Sequence, residues 1–294
     1  MNNDKLAILT DSASNLTDDL LDLYGIEMIS FTAKVGKEDF ICWQRGRDYD
    51  KAAQGYYDAM RSGAMPQTSL INSHAFIDFF TPFLEAGKDV LYIGMSRGLT
   101  GTVGAAQQAA EALRQTFPDR QCVALDSSGA SFGEGILVIH AAKMRNEGKS
   151  LNEITEEIDS MIPHMNQLFT VDDLVYLHRG GRISSLVKIA GSLLGIKPML
   201  KATDQGTIEL YGKCRGRRRS LEALAEQFAK TALRPALQII GIAHADCVED
   251  ANFLANRLKE LTAVKNVMIR QYDLCSGSHV GPGAIALFFA ADKR

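Results

Sequence analysis

The chain has 294 residues, 46% of them hydrophobic and 23% charged, with a formal net charge of −3. These values are ordinary for a soluble globular protein and exclude disorder, collagen and coiled coil, while the negative balance excludes a protein-wide basic coat for nucleic acid. The length sets an expectation of two domains of ~150 residues.

Leu6–Leu9 reads as the first strand, followed by the turn Thr10-Asp11-Ser12-Ala13-Ser14. A helical stretch around Leu16, Leu20 and Leu23 comes next, and Gly25 ends it. Ile26–Phe31 reads as the second strand. Over 34–62, Gly36, Gly46 and mixed polarity predict an irregular insertion before Pro66. Val90–Ile93 is a strand leading through a Gly/Thr turn to an Ala-rich helix, Val103–Leu113. Cys122–Leu125 is another strand, and a helix follows from about Gly133 to Arg145. Strand-then-helix repetition predicts a parallel sheet covered on both faces.

The second half changes character. Leu186–Leu194 reads as helix. Ile196–Thr203 and Thr207–Lys213 flank Asp204-Gln205-Gly206 and predict an antiparallel hairpin. Helices are expected at Ser220–Ala232 and Val248–Leu261, with strands at Leu237–Ala243, Val267–Tyr272 and Ala284–Phe289. The expected fold class is therefore α/β in two domains. Residues 1–165 form a parallel sheet covered by helices, and residues 166–294 a mixed α+β domain.

Several classes of site are not expected. The longest apolar run, Ala284–Ala291, has eight residues, far short of the ~20 that span a bilayer. Leu6–Leu9 is too short for a secretory signal, so the expected location is cytoplasmic. Cys42, Cys122, Cys214, Cys247 and Cys275 hold no C-x-x-C pair, and the six histidines no H-E-x-x-H. Neither a disulfide framework nor a metal site follows from them.

Hydroxyl-rich turns carry the chemical signal. Thr10-Asp11-Ser12 follows a strand, where it reads either as a helix cap or as a site at a strand's carboxyl end. Pro66-Gln67-Thr68-Ser69 and Ser96 to Thr102 are two more such turns. Hydroxyls with free N–H groups at a helix start make a neutral cradle for an anion. No Walker lysine follows these glycines, so a P-loop is excluded. Gly94-Met95-Ser96-Arg97-Gly98 matches G-x-S-x-G, and Asp126 and His279 could complete the order of a serine hydrolase triad. Against this, the helix starts near Thr102 rather than directly after Ser96. His279 stands in a Gly/Pro-rich turn between two strands, where its imidazole can donate to an anion or accept from a hydroxyl.

Charge is unevenly distributed. Between Val175 and Ser220 ten basic residues face only Asp204 and Glu209, a local +8 against −11 elsewhere. Basic density of this kind marks an anionic partner. No interleaved aromatics suggest base stacking, so nucleic acid is not the expected partner.

Thr10-Asp11-Ser12, Pro66-Gln67-Thr68-Ser69, Ser96 to Thr102, Asp126-Ser127, Arg179-Gly180-Gly181-Arg182-Ile183, Ile196-Lys197-Pro198 and His279-Val280-Gly281-Pro282-Gly283 stand in one order along the chain. In that order they resemble the DegV family, over nearly the whole length. The resemblance implies a two-domain protein that binds one fatty acid between its lobes. Its FakB-type members present the lipid to a separate fatty acid kinase, which converts the carboxylate to an acyl phosphate for phospholipid synthesis. Matched position by position, the resemblance puts the carboxylate on Thr68, Thr100 and His279, with backbone N–H groups near Gly101. It puts the acyl chain against second-domain residues such as Ile189, Leu193 and Leu194. Three departures stand out. Ile71-Asn72 occupies the place where Pro-Ser is frequent, Thr100 the place of a usual Ser, and His178 that of a common Lys.

The expected function is thus binding of a long-chain fatty acid as sole ligand, by a cytoplasmic protein with no catalytic residue of its own. Arg179, Arg182, Arg215, Arg217, Arg218 and Arg219 are assigned to the surface where the kinase or its nucleotide phosphates dock. For Arg182 the other reading is a brace across the domain interface through a buried ion pair. A serine hydrolase using Ser96, and a lipid sensor without kinase partner, are the alternatives.

Overall fold

The computed structural model describes residues 5–183 and 195–294. The expected helix Leu186–Leu194, and with it Ile189, Leu193 and Leu194, lies outside the described residues. β1 (Leu6–Asp11) runs into a single 3-10 turn at Ser12–Ser14, and α1 (Asp18–Tyr24) ends at Gly25, whose φ of 59° closes the helix in the left-handed region. β2 (Ile26–Ile29) then lies parallel to β1.

Where an irregular segment is expected over 34–62, the structure has regular elements. β3 (Thr32–Val35) and β4 (Glu38–Ile41) form a hairpin whose two-residue turn places Gly36 at φ 64°. Such tight hairpin turns demand positive φ, which is why glycine stands there. α2 (Tyr49–Arg61) follows, capped by Asp48, whose side chain accepts from Lys51 N. Its buried residues Ala53, Tyr56, Tyr57 and Met60 recur at i, i+3, i+4 and i+7, the stripe of an amphipathic helix. β5 (Gln67–Ser69) pairs with β3 and completes a small antiparallel sheet.

The first half continues with α3 (Ser73–Glu85), β6 (Asp89–Gly94), α4 (Thr102–Thr116), β7 (Cys122–Asp126), α5 (Phe132–Asn146) and α6 (Leu151–Met161). The strands assemble a four-stranded, wholly parallel sheet in the order β2-β1-β6-β7. The second half comprises β8 (Met165–Thr170), α7 (Val175–Arg179), β9 (Ile196–Ala202), β10 (Ile208–Arg215), α8 (Arg217–Thr231), β11 (Ile239–His244), α9 (Val248–Leu261), β12 (Asn266–Gln271), α10 (Leu274–Val280) and β13 (Ile285–Ala290). Its six-stranded sheet has the order β10-β9-β8-β13-β11-β12, antiparallel except for the β11–β12 pair. The segment read as a Gly/Pro turn around His279 is therefore a helix up to Val280.

Side chains alternate across the six-stranded sheet, as the two-residue period of a strand requires. On β13, Ile285, Leu287 and Phe289 pack with α8 and α9, whereas Ala286 and Phe288 join the core shared with the first half. Between the two sheets lies α5, which packs against β1 and β6 on one side and β11, β13 and β8 on the other. Ten of its residues, from Phe132 to Ala142, are buried. A helix this deeply buried is a core helix, and this one belongs to both sheets at once. No helix among the described residues is long and apolar enough to cross a membrane.

Candidate functional site

A cavity of about 330 Å³ opens where the two halves meet, within the ~300–1,000 Å³ of small-molecule sites. The first half contributes Thr68 on β5 and Met95, Thr100 and Gly101 from the loop after β6. The second contributes Phe169 on β8, Phe288 on β13, Arg182 beyond α7 and His279 on α10. Most of the remaining wall is apolar, with Phe31, Leu70, Leu99, Leu177 and Ile208 among it.

The loop 94–101 is held from both halves. Ser96 N donates to Gly129 O at 2.8 Å, and Leu99 N and Thr100 N both donate to Ser96 O. The Ser96 hydroxyl donates to Gly206 O at 2.9 Å and accepts from Gly98 N at 3.0 Å. Gly206, at φ 68° in the β9–β10 turn, has no room for a side chain, because a Cβ there would stand 2.0 Å from Ser96 Oγ. A Cβ on Gly98 would stand 2.7 Å from Gln205 O. Two glycines thus let the hairpin turn sit directly on the loop that carries Thr100.

At the polar end of the cavity, Thr68 Oγ1 and His279 Nε2 lie 2.8 Å apart. Burial pushes the imidazole down to about 4, and the Arg182 cation adds to this, so His279 is neutral near pH 7. Gly180 makes space for the ring, since a Cβ there would lie 2.4 Å from His279 Nδ1. Arg182 Nε donates to Leu99 O at 3.2 Å, and its Nη1 donates to Gly180 O. Among the described residues Arg182 is held by carbonyl acceptors, neither free on a docking surface nor in the ion pair of its other reading. Its guanidinium joins the cavity wall, so the site is not the purely neutral cradle read from the hydroxyl turns. Thr100 Oγ1 lies 2.9 Å from Thr102 Oγ1, and Gly101 caps the 15-residue helix α4, whose N-terminus carries partial positive charge. Thr68, His279 and Arg182 also form one wall of an outer cleft that includes Gln67, Tyr176 and Arg179. These three residues thus stand between the apolar cavity and this second cleft.

The hydrolase triad is not assembled. Ser96 is fully buried with its hydroxyl on a carbonyl, Asp126 Oδ2 pairs with Arg97 Nε at 2.7 Å, and His279 faces Thr68. Asp11 does cap, accepting from Ala13 N at 2.9 Å and from the Tyr92 hydroxyl at 2.6 Å. Its buried carboxyl is pushed up to about 6 by desolvation, against those hydrogen bonds.

The basic segment is divided. Arg217 is half-buried, with Nε on Asp250 at 2.8 Å and Nη2 on Gly283 O at 2.6 Å. Arg219 pairs with Glu226 at 2.6 Å, and Arg218 stacks 4.1 Å over the Phe253 ring while keeping 75% of its side chain exposed. Arg179 and Arg215 are exposed. Phe169 and Phe288 have no signal of their own in the sequence, because inward-facing strand residues look alike whichever core they enter. Among the described residues no cluster of His, Cys, Asp and Glu is arranged to hold a metal.

The DegV family model matches residues 5–292. A DegV domain-containing protein of Clostridium perfringens is 36% identical over 290 residues, covering 99% of each chain. Among solved structures, a DegV family protein of Thermus thermophilus, described for its fatty acid binding, is 26% identical with a TM-score of 0.85, covering 98% of this chain and 99% of that one. The B3 protein of the Streptococcus pneumoniae fatty acid kinase, loaded with linoleic acid, is 20% identical with a TM-score of 0.84, covering 98% and 100%.

Proposed function

The chain belongs to the DegV family, and from that premise we propose that its cavity holds one long-chain fatty acid and presents the carboxylate to a separate fatty acid kinase. The observation that carries this reading is the apolar cavity closed at one end by Thr68, His279 and Arg182, which also line the outer cleft. Burying the chain supplies the affinity, at ~0.8 kcal/mol per methylene, and the polar end sets its direction. With Nε2 protonated, His279 donates to Thr68 Oγ1, which frees the Thr68 hydrogen for a carboxylate oxygen. Thr100, the N–H groups at Gly101 and the Arg182 guanidinium complete the cradle. A neutral imidazole avoids a second buried cation beside Arg182, so the carboxylate meets one charge only. The fatty acid binding described for the Thermus thermophilus relative and the kinase system of the Streptococcus pneumoniae one support this reading.

The test is native mass spectrometry of the purified protein, with a mass increment of one fatty acid expected. Only apo protein, with no uptake of added fatty acid, overturns the proposal. Thr100→Ala and His279→Ala keep the fold and weaken binding, because each loses a hydrogen bond to a charged group worth ~1.5–3 kcal/mol, roughly 10- to 100-fold.

The kinase in turn docks on the exposed arginines, Arg179, Arg215, Arg218 and Arg219, where charge accelerates association. Arg182 serves the cavity, and Arg217 holds α8 to Asp250 and to Gly283 O. Reversing Arg218 and Arg219 together to Glu spares lipid loading and slows acyl-phosphate formation about tenfold at low salt, the scale on which charge steering acts. The two activities are assayed separately. Equal loss of both assigns these residues to the fold, and loaded protein that the kinase never phosphorylates favours a sensor.

A further inference from the structure

A second cavity, of about 510 Å³, lies beside the N-cap of α10. It is walled by His244 and Gln271 at the carboxyl ends of the parallel strands β11 and β12, and by Ser12 just beyond β1. Open α/β sheets take ligands at such strand ends.

The floor and the rim of this cavity differ in kind. At the floor, Asn15 is 6% exposed and held at φ 60°, and its amide nitrogen has no hydrogen-bond partner among the described residues. The same holds for Arg270 Nε. These atoms are donors in want of an acceptor. At the rim stand the carboxylates of Asp18, Asp19, Asp48 and Asp50. The rim's own cation, Arg47, is engaged by Ile41 O and by Gln44, another residue of the wall. Between floor and rim, the half-buried indole of Trp43 is pinned by its Nε1 donating to Asp18 Oδ1 at 3.1 Å.

Each simple ligand class fails against part of this lining. The rim repels an anion. A cation meets the Arg270 guanidinium and leaves the Asn15 amide nitrogen unpaired. A hydrocarbon leaves the Asn15 amide unpaired. A hydroxyl group both accepts and donates, so it suits the floor and the rim together, and a ring or chain of such groups offers C–H faces to an indole. We propose that this cavity binds a small polyhydroxylated molecule of the sugar or polyol class.

Trp43 is the sole tryptophan of the chain, so fluorescence excited beyond the tyrosine absorption band reports on this indole alone. The full chain is titrated with D-ribose, glycerol and myo-inositol, with spermidine and inorganic phosphate as charged controls. At least one polyol gives a saturable change, at least tenfold weaker in Asn15→Asp and unaltered in His279→Ala. The aspartate keeps the shape and tolerates positive φ, but turns the donor into an acceptor. Arg270→Lys, which moves the Nε donor, carries the same comparison if Asn15→Asp does not fold. The proposal is overturned by saturation with none of the three polyols, by saturation with spermidine or phosphate alone, or by a response that neither variant weakens. Loss in His279→Ala would assign the signal to the apolar cavity and overturn it equally.

Discussion

Asp273→Asn stabilises the protein at pH 8 and leaves its stability unchanged at pH 4. Asp273 is 1% exposed and caps α10, its Oδ1 accepting from Ser276 N at 2.7 Å. Burial pushes its carboxyl from 3.8 up to about 8, with the hydrogen bond from Ser276 N opposing the rise. In the unfolded chain the same group titrates near ~3.9. Between these values the folded protein keeps a proton that the unfolded chain has released, so unfolding becomes easier as pH rises. Below ~4 both states are protonated and the difference vanishes. At ~1.4 kcal/mol per pKa unit, the accumulated cost by pH 8 is on the order of 5 kcal/mol. Asparagine caps a helix as well as aspartate does and never ionises. Asp11 and Glu134, both buried and both pushed upward, add to the alkaline loss in the wild-type protein. His279, pushed downward, works the other way, destabilising the fold only as pH falls below ~6.5. Urea midpoints of both proteins at pH 4, 6 and 8 decide the matter. Wild-type stability that is flat from pH 6 to 8, or an asparagine variant no more stable at pH 8, would refute it.

Phe132→Ala costs ~3–5 kcal/mol, the range for removing a fully buried aromatic ring. Phe132 opens α5 with no exposure, and its ring lies against β11 so closely that a Cβ on Gly241 would be 2.3 Å from Cδ1. The next residue, Gly133, lets Phe288 and Gln167 approach in the same way. Neighbours fixed by backbone cannot collapse into the vacated space, which places the cost at the upper part of the range. Circular dichroism against denaturant measures it, and a loss below ~1 kcal/mol would show that the site repacks.

Elements built from local signals are legible in the sequence. β1, β6 and β7 are short apolar runs followed by turns, and α9 spans Val248–Leu261 as its apolar period indicates. The hairpin β9–β10 is announced by Asp204-Gln205-Gly206. Elements whose reasons lie elsewhere in the chain are not legible. β8 carries Asn166 and Gln167 into the interior, where Asn166 Nδ2 donates to Lys293 O and Gln167 Oε1 accepts from Ala130 N. Nothing local marks those partners. α10 contains Ser276, Gly277 and Ser278, residues of turns, yet Gly277 is required there because a Cβ would strike the Tyr57 hydroxyl at 2.1 Å. The cavity shows the same division. Thr68, Thr100 and His279 stand out as hydroxyl turns and a loop imidazole. Arg182 is visible as charge, but only the fold reveals that it faces inward and braces Leu99 O.

The sharing of α5 between two sheets governs how anything reaches the apolar cavity. Two-lobed binding proteins often admit ligand by swinging their lobes apart about a hinge. Here such a swing would strip one face of a helix buried between both sheets, and would split a core running unbroken from Leu6 to Phe288. That opening approaches global unfolding in cost. Entry and exit therefore belong to local movements of the cavity rim while the two halves stay clamped. A molecule held in that cavity would leave through the rim segments and not by separation of the domains.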